Sequence, residues 1–101
     1  MSHLLPSLRA LREVTEVQLR AAIAVNGPAL ADATERRAVL LDEIAGIPEP
    51  YLDDPRELMD EARELADLEE RLTAVASLIT GALANALKPR VQTYGRRGRI
   101  G

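Results

Sequence analysis

The longest regular pattern in the chain lies in 54–87, where Leu58, Leu65, Leu72, Ile79 and Ala86 recur at seven-residue intervals. Ala62, Ala76 and Leu83 extend the face, and Leu68, Val75 and Ala82 widen it beyond a bare coiled-coil seam. An unbroken helix over this stretch measures roughly 50 Å. A leucine face of that length needs cover in water. The segments before it are therefore expected to be helices packed over it, and 88–101 to be something it carries.

Before it, Leu4, Leu5, Leu8, Leu11 and Val14 open a first helix, starting near Ser2 or Pro6 with Ser2 or Ser7 as its cap. Its stripe continues through Val17, Gln18, Ala21, Ala22 and Val25, and the polar Gln18 predicts looser packing there. Asn26-Gly27-Pro28 ends it, with Gly27 available for the left-handed closing conformation. A second helix follows over 28–45, with Leu30, Ala33, Leu40, Leu41 and Ile44 inward and Asp32, Glu35, Arg36, Asp42 and Glu43 outward. Gly46 closes it. The linker 47–53 is extended by Pro48 and Pro50, and Ile47, Tyr51 and Leu52 pin it to the bundle. Asp54-Pro55-Arg56-Glu57 opens the long helix with a capping box, and Asp60 and Glu61 suit its positive end. Gly81 sits within the helical pattern, either at a close crossing or weak last turn, or at a kink or groove. Pro89 ends the helix.

The predicted fold class is thus all-α: an antiparallel bundle or hairpin of three helices, the last one long, over 1–87, with a basic, flexible tail over 88–101. Composition agrees, because Ala, Leu, Glu and Arg dominate and there is no Phe, Trp or Cys. Without Cys there is no disulfide framework, which fits a reducing, cytoplasmic setting. No basic-then-apolar leader is visible, and 73–87 is too short and Ala-rich for a membrane span. The net charge of −3 is unevenly spread: 1–87 holds 8 basic and 16 acidic residues, 88–101 holds 5 basic and none acidic.

Candidate chemistry is sparse. His3 is the only histidine and has no Cys or second His to share a metal. Glu69 falls beside the leucine stripe, where a carboxylate reaching water is the ordinary outcome. Ser2, Ser7 and Ser77 have no evident base, and no glycine-rich loop joins a strand to a helix. The expectation is a protein that is not an enzyme and holds no metal or cofactor.

Three features follow one another: a leucine-rich opening helix; a Gly-containing break into Leu30-Ala31-Asp32-Ala33-Thr34-Glu35-Arg36-Arg37-Ala38-Val39-Leu40-Leu41; and leucine heptads closed by Thr93-Tyr94-Gly95-Arg96-Arg97-Gly98. This order resembles the FlgN family of flagellar export chaperones, whose second segment has a charged turn before paired leucines and whose terminus has a Tyr-Gly-x-x-Gly style. The resemblance implies a cytoplasmic chaperone that holds the hook–filament junction proteins FlgK and FlgL before type III export. It implies that the C-terminal part receives helical client segments. On this chain that face is Leu72, Val75, Ile79, Leu83 and Leu87, joined by Tyr94, Gly95 and Gly98 of the tail.

Two other readings stand beside it. The same heptads suit a helical adaptor or coiled-coil homodimer without an export client. Alternatively, the basic tail with Tyr94 suits contact with nucleic acid or an anionic membrane surface, although a solvated end is the commoner role for such a tail, so nucleic-acid binding and membrane insertion are not expected.

Overall fold

The computed structural model describes residues 2–87. It contains three helices, α1 Leu5–Ile23, α2 Gly27–Ala45 and α3 Pro55–Ala86, in the all-α order that the sequence predicts. α2 runs back along α1, with Gln18 opposite Thr34 and Thr15 opposite Arg37. α3 runs parallel to α1, with Leu4 beside Asp53 and Arg12 beside Glu61. The path is up, down and up.

The helix at the centre is α1, which corrects the expectation that the earlier segments cover α3. Both α2 and α3 pack on α1 but not on each other's backbones. They meet through the ion pair of Arg37 and Glu69. Apart from Ala33, every fully buried residue among the described ones belongs to α1: Leu5, Leu11, Val14, Thr15, Gln18, Leu19, Ala21 and Ala22. The spacing 11, 14, 15, 18, 19, 22 is a broad stripe wide enough to serve two neighbours at once. Burying each large aliphatic side chain there stabilises the fold by about 1.5–3 kcal/mol. α3 has no fully buried residue. Leu58, Leu65, Leu68, Leu72, Val75 and Ile79 are half-buried, whereas Ala62, Ala76, Ala82, Leu83 and Ala86 are exposed. Val17 and Val25 of the first stripe and Leu41 of the second are also exposed.

The ends of α1 are closed by residues other than those expected. Neither Ser2 nor Ser7 caps it; Leu4 holds the cap position without a side-chain bond. Asp53, from the linker, accepts a hydrogen bond from the Leu4 N–H at 2.5 Å. Its carboxylate is only 5% exposed, with His3 Nδ1 3.5 Å away. Burial pushes the Asp53 pKa up, but the Leu4 and Leu5 N–H groups and His3 outweigh it and hold the pKa below the ordinary value. The linker is fixed alongside by Ser2, which donates to Pro50 O at 3.1 Å and accepts from Leu52 N at 2.7 Å. Tyr51 and Ile47 are half-buried there, while Leu52 is exposed.

At the other end, Val25 N–H donates to Ala22 O and Asn26 N–H to Ala21 O, the paired bonds of a Schellman turn. The left-handed residue is Val25, at φ 52°, and no glycine among the described residues has positive φ. Gly27 instead becomes the first residue of α2, and Asn26 caps that helix by accepting from Ala29 N–H. α3 opens as predicted on Asp54, which accepts from Arg56 N–H at 3.0 Å. No bond from Glu57 back to Asp54 completes a capping box among the described residues.

Glu61 does more than face the helix dipole. Arg12 donates to it at 2.7 Å and to Glu16 at 2.8 Å, with Glu64 at 3.2 Å and Arg9 3.4 Å from Glu61. The hydrogen bond to Glu61, then that to Glu16, raises the Arg12 pKa further above its ordinary range. This cluster ties α1 to α3. By contrast, Asp32 and Arg36 form the expected i,i+4 pair at 3.9 Å, but both are largely exposed and contribute a few tenths of a kcal/mol.

Candidate functional site

The shared offset of 49 residues between α1 and α3 brings the end of α1 level with about residue 72 of α3. The remaining turns of α3 run roughly 20 Å past it. This answers which end of the long helix projects: it is the C-terminal one. Every residue from 80 to 87 is exposed, including Leu83 and Leu87. The helix passes through Gly81 to Ala86 without a break, and a Cβ at Gly81 would meet nothing within 4 Å. No close crossing within the described residues accounts for that glycine.

Where α3 leaves α1, an open groove of about 860 Å³ forms between α2 and α3 over the last turns of α1. Gln18 and Ala22 form its floor, Leu30 and Thr34 one wall, and Leu72, Thr73, Ala76, Ser77, Ile79, Thr80 and Gly81 the other. None of these side chains is charged, and neither is any other in 72–87. The groove exists because α2 and α3 each pack on α1 and are joined to each other only farther down, through Arg37 and Glu69.

Its floor has one unusual group. Gln18 is 8% exposed, and its Nε2 donates to Thr34 Oγ1 at 3.0 Å. Thr34 in turn donates to Leu30 O. Gln18 Oε1 is buried and accepts no hydrogen bond among the described residues. An amide oxygen without a donor costs about 1–3 kcal/mol when withheld from water. Gln18 thus satisfies its donor side and keeps an unpaired acceptor buried beneath the groove floor.

Farther down, Arg37 closes the gap between α2 and α3. Its Nη2 donates to Glu69 Oε1 at 2.5 Å and its Nε to Thr15 Oγ1 at 3.3 Å. Thr15 Oγ1 passes a bond on to Leu11 O. Glu69 is therefore a stripe-edge carboxylate bound to an arginine. A smaller hollow of about 490 Å³ lies between α1 and α2 and is flanked by Glu13 and Arg36.

Of the residues that the sequence singles out, Leu72 and Ile79 line the groove. Val75 is half-buried and does not line it, while Leu83 and Leu87 lie beyond it on the projecting end. Tyr94, Gly95 and Gly98 fall outside the described residues. The sequence reading missed Thr34, Ser77 and Thr80 as groove residues and noted Gln18 only as a break in a stripe. Small polar residues on an otherwise apolar helix face were the available signal. Among the described residues no helix is long and apolar enough to cross a membrane. Compared with family models, curated proteins and solved structures, the chain matches none.

Proposed function

We propose that this chain is a flagellar export chaperone of the FlgN type, holding FlgK and FlgL in the cytoplasm before type III export. The observation that supports the reading is the uncharged groove beside the projecting end of α3. An amphipathic client helix needs an apolar trough with unblocked ends, and helix-in-groove recognition reads anchors spaced at i, i+3 or i+4 and i+7. Leu72, Ala76, Ile79 and Leu83 offer the matching surface, and the basic 88–101 segment adds contacts outside the trough.

The test is capture of purified FlgK and FlgL from the same organism by the full chain, by a version ending at Leu87, and by Ile79→Asp. Stoichiometric capture by the full chain, weaker capture after truncation and none by Ile79→Asp is the expected set. Ile79 is half-buried at the wall, so helicity should be largely retained in that variant. Undiminished binding by Ile79→Asp sinks the groove as the client site.

A further inference from the structure

We propose that α2 is a lid on a lasting α1–α3 pair: latched by Arg37, it undocks as one unit and uncovers the α2-facing side of α1 while α1 and α3 stay together. The two neighbours of α1 are held in different ways. α3 lays Leu58, Leu65, Leu68, Leu72, Val75 and Ile79 half-buried along its contact face. α2 brings only Leu30, Leu40 and Ile44, among its large aliphatic side chains, to half-burial. Between Leu30 and Leu40 its inner face consists of a buried alanine, Ala33, and the charged Arg37. Hydrophobic stabilisation scales with the apolar area removed from water, so α2 docks through the weaker apolar contact.

The polar contacts divide the same way. α1 and α3 are fastened by groups outside α2: Asp53 accepts from Leu4 N–H just ahead of α3, and Arg12 donates to Glu61 with Glu64 beside it. These survive the departure of α2. α2 itself is tied by Gln18 donating to Thr34, and by Arg37 donating to Thr15 and Glu69. Arg37 with Glu69 is the one ion pair between α2 and α3 among the described residues. The Glu69 side chain is 45% exposed, so the latch is within reach of water and salt. Breaking it strands nothing: Glu69 is hydrated, and Thr15 keeps its bond to Leu11 O. With α2 lifted, the trough floored by Gln18 and Ala22 continues along α1 over Thr15 and Val14, which Arg37 and Leu40 otherwise cover. The device belongs to the chain alone and does not rest on the chaperone reading.

Amide hydrogen exchange of the full chain, followed by NMR at low and high salt, tests it. Interior amides of α2, over 33–43, should exchange through a shared opening at least about tenfold more frequent than that of α1 over 11–21 or α3 over 61–70. Glu69→Lys lies on α3 but turns the latch into a repulsion. It should speed exchange in α2 by about fivefold or more, with less than about a twofold change in the other two stretches. Salt should speed α2 exchange in the parent and slow it in Glu69→Lys, because it screens attraction in one and repulsion in the other. Parent α2 amides that exchange only together with those of α1 overturn the proposal. So does a Glu69→Lys variant in which α2 is unchanged or all three helices accelerate alike, and so does a salt response of the same sign in both proteins.

Discussion

Replacing Val25 by glycine should stabilise the protein, although it removes a β-branched aliphatic side chain. Val25 is the left-handed residue of the turn between α1 and α2, at φ 52°. An L-residue in that region costs about 1–2 kcal/mol, and β-branching places Val at the upper end. Glycine adopts it freely, but its more flexible unfolded chain returns about 0.5–1 kcal/mol of the gain. The side chain is 75% exposed, so the burial lost is about a quarter of a full valine, roughly 0.5 kcal/mol. The balance is a gain of about 0.5–1 kcal/mol, or a few degrees in Tm for a chain of this size. Ala24 supplies the control. It sits at φ −77°, where glycine gains nothing, so Ala24→Gly should destabilise by about 0.5–1 kcal/mol. Urea denaturation of the three proteins, read by circular dichroism, measures both signs. If Val25→Gly and Ala24→Gly both destabilise, the backbone at 25 is not strained and the reasoning fails.

Three further outcomes are expected. Arg12→Met should destabilise by about 2–3 kcal/mol, since Glu61, 14% exposed, loses its strongest partner; Arg12→Met with Glu61→Leu should recover part of this in the same urea assay. Asp53 has a depressed pKa in the folded state, so its contribution is complete above the unfolded value near 3.8 and disappears as pH falls through the lower folded value. Asp53→Asn should therefore be less stable than the parent at pH 7, with the gap narrowing below about pH 4 in parallel melts. Gly81→Ala should add up to about 1 kcal/mol of local helix stability, because the site is open. Hydrogen exchange should show stronger protection near 81–86 with little change in the global midpoint, as expected for an end that opens independently.

What the sequence made readable was what depends on neighbours along the chain. Asn26-Gly27-Pro28 and Asp54-Pro55 are local punctuation, and α2 and α3 begin at them, at Gly27 and Pro55. The cap of α1 was not readable, because its acceptor is 49 positions away in a linker whose path depends on the finished fold. Assigning the left-handed turn to Gly27 rested on intrinsic preference. The structure places Val25 there because α1 ends two residues earlier, at Ile23, and Pro28 fixes where α2 starts.

The choice of α3 as the organising helix failed for a related reason. Heptad regularity measures how long an apolar stripe is, whereas centrality depends on how wide it is. Thr15 and Leu19 give α1 the second edge it needs to serve two neighbours, and Thr15 reads in sequence as a polar break between Leu8 and Ala22. Once α1 is central, α3 has to outrun it, since 32 residues lie against a helix of 19. The surplus turns keep an apolar surface with no partner among the described residues. The groove and the projecting end therefore have a single origin, the length mismatch between two parallel helices. Shortening α3 to the level of α1 would remove both, whereas the fully buried residues, which lie on α1 and α2, would all remain in the chain.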